Sequence, residues 1–409
     1  MAAVQFCGDW FICSCDQRLL AVHSAQDRAP FEFDCGAAEK RPKKTEGDSE
    51  SGGEHEGGSD RILAVAASGS GDLLALSDDS KRLVLLRRDP TWTVLSVRWL
   101  ARRSTALAFT RAEDFLLVAD KSGDVYSASV KEPDQEPELQ LGHLSMVLDL
   151  SVSVDDRFIV TCDRDEKIRV SCSRSPYNIQ AFCLGHQQFV SALLTPSGSP
   201  QTLISGSGDG TVCLWDLLSG RRLQTVELRR LVQLGDDAPD DQRLTVSRLR
   251  SSPDGCHVAV LCERVKQIQL LSLEQTEGGA ALGAHVLLPL KHCPLDLTFD
   301  PRGRLWVLLN CEERPLQVYE RTHGTYEQVQ TSSHVGSCGS SAEAQRSSSR
   351  LEHLYVETYD NVSEYMKKKQ QRLEQQSQKR SRDQSRDQNR PKKSKTKSKT
   401  ESKSETNGS

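Results

Sequence analysis

Two stretches of this chain repeat each other. LGHLSMVLDLSVSVDDRFIVTCDRDEKIRV begins at Leu141, and LGHQQFVSALLTPSGSPQTLISGSGDGTVCLWD begins at Leu184. Gly142-His143 returns as Gly185-His186, and Ile168-Arg169-Val170 returns as Val212-Cys213-Leu214, at an offset of 43 or 44 residues. A unit of that length, built from short β-type runs, is one supersecondary element. It cannot bury its own apolar face, so it must stack on copies of itself.

The second copy closes on Trp215-Asp216. A Gly-His opening, a Trp-Asp close and a period of ~40–45 residues mark a WD repeat, one four-stranded blade of a β-propeller. Such a blade sets polar turn groups beside a buried sheet, where each needs a partner. His186, Ser205, Asp209 and Trp215 can bond in a chain and lock their blade. The earlier copy offers His143, Thr161 and Asp165, with Ser171 at the tryptophan position, so it keeps three of the four groups.

The rhythm extends in both directions. Strand-length apolar runs open at Ile62, Ala106, Val147, Val190 and, more weakly, Leu295, with turn clusters such as Ser252-Pro253-Asp254-Gly255 between runs. Third runs centre on Leu83, Val125, Ile168, Val212, Ile268 and Leu316, at spacings of 42, 43, 44, 56 and 48 residues. Insertions at residues 229–242 and 275–283 account for the two long intervals. Six repeats are therefore legible. A seventh is expected from the N-terminal runs around Trp10-Phe11-Ile12-Cys13, Leu19-Leu20-Ala21-Val22 and Phe31-Glu32-Phe33, joined by residues 351–359. Sharing a blade between the two ends closes a ring and removes its open edges. The predicted fold is all-β, a seven-bladed propeller over residues 1–359, with six blades plus an N-terminal decoration as the alternative. It carries a disordered, largely acidic insert at 39–60 and a Ser-rich loop at 331–350. A basic helical segment is expected at 360–390, and a disordered basic tail at 391–409.

Charge divides the chain in the same place. The formal net charge is −4, yet residues 366–409 hold fifteen Lys or Arg against five Asp or Glu, so the tail is +10 and the remainder −14. Lys367, Lys368, Lys369 and Arg372 are candidates for contact with RNA or a partner. Arg390-Pro391-Lys392-Lys393-Ser394-Lys395 resembles a nuclear-import signal and points to the nucleus. No run is long and apolar enough for a membrane helix, and the start lacks a basic segment of the secretory kind, so no membrane or secreted state is expected. Thirteen cysteines are scattered with no Cys-x-x-Cys pair, which suits buried thiols in a reducing compartment.

Patterns that carry catalysis are missing. Gly206-Ser207-Gly208-Asp209-Gly210 has the spacing of a nucleotide loop, but such a loop must open a helix, and Thr211 to Trp215 is a β-type run. Ser68 to Asp72 reads the same way, and Asp236-Asp237-Ala238-Pro239-Asp240-Asp241 is a solvated insertion. No metal-ligand spacing or Gly-x-Ser-x-Gly elbow occurs. The expectation is a non-enzyme without cofactor or metal. What stands out instead is mixed charge on three successive turns: Asp78 to Arg82, Asp120 to Asp124, and Asp163 to Arg169. Interleaved signs on an ordered edge fix register with a partner and speed encounter.

Those turns carry a resemblance to a known family. SDDSKRL from Ser77, VADKSGDVY from Val118, LGHLSM from Leu141, DRDEKIRV from Asp163 and FCLGH from Phe182 resemble the WD-repeat non-catalytic subunit of the tRNA (guanine-N7)-methyltransferase. Asp360-Asn361-Val362, leading to Lys367-Lys368-Lys369, fits as well. The resemblance implies a one-to-one heterodimer with a Rossmann-type catalytic subunit, which would carry S-adenosylmethionine and methylate N7 of a guanosine in the tRNA variable loop. Some mRNAs and microRNA precursors are further substrates that it implies, and nuclear, chromosomal and some cytoplasmic locations. It maps the partner interface onto Arg164, Asp165, Glu166, Lys167 and Arg169, with Lys121 as a secondary candidate; tRNA would be reached through the complex. The alternative class is a propeller adapter such as a ubiquitin-ligase substrate receptor or a chromatin scaffold.

Overall fold

The computed structural model describes residues 2–39, 58–232, 243–276, 279–330, 350–355 and 369–370. Residues 1–355 form one compact unit. Within it lie seven four-stranded antiparallel sheets, each taken from one continuous stretch of chain. Blade 1 covers residues 3–34, blade 2 62–99, blade 3 104–142 and blade 4 147–183. Blade 5 covers 190–227, blade 6 246–289 and blade 7 294–329.

Alternation explains why these segments become strands. The second strand of each blade is sandwiched on both faces and reads as a continuous apolar run, as in Leu73–Asp78, Phe158–Asp163 and Leu305–Leu309. Innermost strands alternate instead. Ile62, Ala64 and Ala66 are buried between blades, while the side chains between them face the axis. Each innermost strand packs on the next, Ile62–Ala67 on Ser104–Phe109 and Val190–Leu194 on Val246–Ser251, and Ala3–Cys7 on Pro294–Phe299 closes the circle. The apolar clusters accordingly lie between blades, one of them joining Val4, Phe11 and Val22 of blade 1 to Trp306 and Val318 of blade 7.

This closure differs from the expected one. Blade 1 draws all four strands, Ala3–Cys7, Trp10–Cys15, Arg18–His23 and Phe31–Asp34, from the N-terminal segment. Of the expected segment 351–359, residues 351–355 are not a strand, Glu352–Leu354 being a short 3-10 turn, and 356–359 lie outside the described residues. Closure rests on packing and on a buried hydrogen bond, the Val4 N–H to Asp296 Oδ2 at 2.9 Å. Asp149 makes the equivalent hook between blades 4 and 5, accepting the Leu193 N–H at 2.8 Å. Both carboxylates border an axial cavity of about 410 Å³, which Arg248 and Arg250 of blade 6 also line.

The insertions lengthen single elements. The one expected at 275–283 extends a hairpin of blade 6, Gln267–Thr276 with Gly279–Pro289. Most of the one at 229–242 lies outside the described residues, as do the insert at 40–57 and the loop at 331–349. The innermost strand of blade 6, Val246–Ser251, escaped sequence reading because Ser247, Arg248 and Arg250 face the channel and break its apolar pattern.

Candidate functional site

Three consecutive blades end their second strand on an aspartate, Asp78, Asp120 and Asp163, at intervals of 42 and 43 residues. One oxygen of each organises the turn that follows. Asp78 Oδ1 accepts the Arg82 N–H at 2.9 Å, and Asp120 Oδ1 accepts those of Ser122 and Asp124 at 2.8 and 3.1 Å. Asp163 Oδ1 accepts the N–H groups of Asp165 and Lys167, both at 3.0 Å. The third residue after each aspartate is left-handed, with φ of +69° at Lys81, +99° at Gly123 and +70° at Glu166.

The second oxygen meets a different partner in each blade. In blade 2 it takes Arg82 Nε at 2.6 Å, and the fully buried guanidinium reaches on to Asp60. In blade 4 it meets His143 Nδ1 at 3.0 Å, while Nε2 of that ring lies 2.7 Å from Thr161 Oγ1. In blade 3 Oδ2 is buried with no partner among the described residues. Four residues before Val147 stands His143, and four before the equivalent Ser104 stands Leu100, which offers no nitrogen. Burial raises the Asp120 carboxyl above its usual range.

The acid of the blade 4 lock is thus Asp163 and not Asp165, whose side chain is exposed. Counting back from blade 5 misleads because blade 5 has Ser207 at the strand-end position and carries its acid two residues later. There the four expected groups do meet. His186 Nδ1 lies 3.0 Å from Asp209 Oδ2 and Nε2 lies 2.7 Å from Ser205 Oγ, which also accepts the Trp215 indole N–H at 2.8 Å. Burial alone would lower the His186 pKa, but Asp209 and Cys213 together outweigh it and lift the ring to about 9. For Asp209 burial acts upward and is overcome by His186, leaving it at about 2. Gly210, at φ +77°, turns the chain into the strand Thr211–Asp216, so the Gly-rich stretch opens no helix.

The charged turn of blade 4 divides by environment. Asp165, Glu166 and Lys167 are exposed, and Lys167 Nζ bonds the carbonyl of Asp165 at 3.2 Å. Arg164 donates from Nε to the Leu354 carbonyl at 3.2 Å. Arg169 is a different kind of residue. Its guanidinium bonds Ser171 Oγ at 2.9 Å, the Gly142 carbonyl of blade 3 at 3.0 Å and the Pro176 carbonyl at 2.9 Å. Ser171, at the vacant tryptophan position, serves as one of its acceptors. Lys121 is exposed on the neighbouring turn. Lys369 is helical and exposed, whereas Lys367, Lys368, Arg372 and the basic run at 390–395 lie outside the described residues.

Residues 350–355 form a strap over the same face. The Tyr355 hydroxyl donates to the Gly208 carbonyl at 2.7 Å and lies 2.6 Å from Thr245 Oγ1. Its ring meets Phe189 edge-on at 5.0 Å and carries the Arg243 guanidinium 4.2 Å from its centroid. Glu352 pairs with Arg264 at 3.1 Å. The strap therefore ties blades 4, 5 and 6 together beside the charged turn.

Seven four-stranded blades, with Asp-His locks in blades 4 and 5 and a Trp-Ser bond in blade 5, define a WD-repeat β-propeller. Solved propellers agree in fold. The RRP9 WD40 repeats superpose with a TM-score of 0.58 at 19% identity, over 80% of this chain and 92% of that one. A chain of the mitotic checkpoint complex gives 0.58 at 15%, over 75% and 85%. Sequence narrows the class further. The model of the tRNA methyltransferase TRM82 WD40 domain matches residues 17–132 and 127–331. The tRNA (guanine-N(7)-)-methyltransferase non-catalytic subunit wdr4 of Danio rerio is 48% identical over 91% of this chain and 92% of its own length. Its Homo sapiens counterpart is 41% identical, over 88% and 89%. The chain belongs to this family of non-catalytic subunits.

Proposed function

We propose that this propeller is the scaffold of a tRNA (guanine-N7)-methyltransferase: it holds a separate catalytic subunit in its active arrangement and makes no bonds itself. The observation that carries the reading is the exposed arc Asp165-Glu166-Lys167. Asp163 fixes its backbone from below, and among the described residues its three exposed side chains make no bond outside the arc, Lys167 Nζ reaching back to the Asp165 carbonyl. An ordered, mixed-sign turn whose charges are spare suits a docking surface, where complementary charge sets register. S-adenosylmethionine belongs to the partner in this reading. RNA is reached through the complex, with phosphate contacts from the basic residues around Lys367 to Arg372, and the site of action is the nucleus. Phosphate contacts of this kind position RNA without reading bases and weaken steeply with salt.

The test is methyl transfer from labelled S-adenosylmethionine to tRNA by the purified chain, by the methyltransferase that co-purifies with it, and by the two mixed. The expected result is no transfer by this chain alone and full activity only for the pair. Transfer by the isolated propeller, or failure of any methyltransferase to co-purify, would overturn the proposal. In the second case the adapter class becomes the better reading.

A further inference from the structure

Leu144, Phe182 and Leu184 face solvent without an internal reason. Leu144 is fully exposed, Phe182 is 44% and Leu184 61% exposed. Exposed apolar residues on floppy loops mean little, but these are held. The loop bearing Leu144 is fixed at three points. The His143 N–H bonds the Gly123 carbonyl at 2.8 Å, its ring is in the blade 4 lock, and the Met146 carbonyl accepts the Arg164 N–H at 3.0 Å. Leu184 follows the outer strand of blade 4 and precedes Gly185-His186, whose carbonyl and ring are bound by Arg222 and Asp209. Phe182 pairs in register with Arg169.

These positions lie at the same end of the blade 4 sheet as the charged arc. The connector carrying Leu144 enters blade 4, the connector carrying Leu184 leaves it, and the hairpin turn with Asp165, Glu166 and Lys167 emerges on the same face. We infer that Leu144, Phe182 and Leu184 are the apolar part of the surface that seats the catalytic subunit, and that they bury against an apolar patch of that protein. The inference rests on the functional reading above and extends it from charge to buried area. Exclusion of charge from the buried centre, with polar residues at the rim, is how protein–protein interfaces are composed. RNA is the poorer occupant: the arc presents two carboxylates, and leucines offer phosphate nothing.

The experiment measures the affinity of the full chain for its co-purifying methyltransferase, using wild type, the triple variant Leu144→Ser/Phe182→Ser/Leu184→Ser, and Lys167→Glu. Because the three side chains are exposed, the triple variant should keep the wild-type unfolding midpoint. Its Kd is expected to rise at least about tenfold, as for loss of central apolar contacts. That deficit should persist at about 1 M salt, where exposed charges are screened beyond about 3 Å, while the deficit of Lys167→Glu shrinks. A triple variant that binds within about twofold of wild type while Lys167→Glu is impaired overturns this inference and leaves the functional reading intact. Loss of tRNA binding with unchanged subunit affinity also overturns it. If wild type binds no methyltransferase, both fall together.

Discussion

Arg169 of blade 4 donates from Nη1 to the Gly142 carbonyl of blade 3 at 3.0 Å. The residue therefore joins two blades, and in sequence it looks no different from the solvent-facing charges of its turn. Burial lowers its pKa, as expected for a cation removed from water. Replacing it by leucine strands three acceptors and should cost about 2 kcal/mol. Lys167→Glu, on an exposed turn, should stay within about 0.5 kcal/mol of wild type. Chemical denaturation of both variants checks the contrast; equal stabilities would refute the structural role of Arg169.

The His186–Asp209 lock predicts a pH dependence with a definite sign. His186 is raised from 6.5 to about 9, so its contribution is complete below pH 6.5 and is lost as pH rises through 9. Asp209 is depressed from 3.8 to about 2, so its share is present above pH 3.8 and lost as pH falls through 2. The stability gap between wild type and His186→Gln should be widest from about pH 4 to 6.5 and close towards pH 9. Thermal unfolding across that range would show it, and a gap that widened above pH 7 would contradict the assignment.

Asp120 is the lock without its histidine. With Oδ2 buried and unpartnered, the carboxylate is a liability at neutral pH. Asp120→Asn keeps an oxygen for the Ser122 and Asp124 N–H groups. It should equal or exceed wild type at pH 7, by up to ~1 kcal/mol. Because folding raises this carboxyl, its penalty disappears as pH falls to its unfolded value of 3.8, and the advantage should vanish there. A large loss of stability at pH 7 would show that Oδ2 has a partner after all.

Ring closure rests on Asp296, which accepts N–H groups from Val4 and Leu297 and takes Arg248 Nε at 3.3 Å. Asp296→Ala leaves a buried amide and an arginine uncompensated and should destabilise by about 2–4 kcal/mol. Hydrogen exchange should speed up first at residues 3–7 and spread from that seam. Protection unchanged at Val4 would place closure elsewhere.

How far the sequence could be read follows from what each residue faces. Second strands such as Phe158–Asp163 are covered on both sides, so their apolar runs announce themselves. Val246–Ser251 faces a polar channel and does not. Residues 351–355 look strand-like because Leu354 and Tyr355 are apolar, yet they cap the face of the ring, where their partners are Phe189, Thr245 and Arg243 from distant turns. Asp163 was legible in hindsight: the same 42- and 43-residue spacing that sets the third strands also separates Asp78, Asp120 and Asp163. Aligning to blade 5, where Ser207 interrupts that series, hid it. Whether Arg169 points to solvent or to Gly142 is a question of side-chain placement across blades, which no periodicity encodes.

In the proposed function the spare charges of Asp165, Glu166 and Lys167 seat a catalytic partner on a ring that folds without them. Size-exclusion chromatography of Lys167→Glu, co-expressed with the methyltransferase that accompanies wild type, tests it most directly. The expected result is a folded propeller eluting alone, with tRNA methylation lost with the pairing. A variant that still elutes with its partner in equal amount and supports wild-type methylation would contradict it.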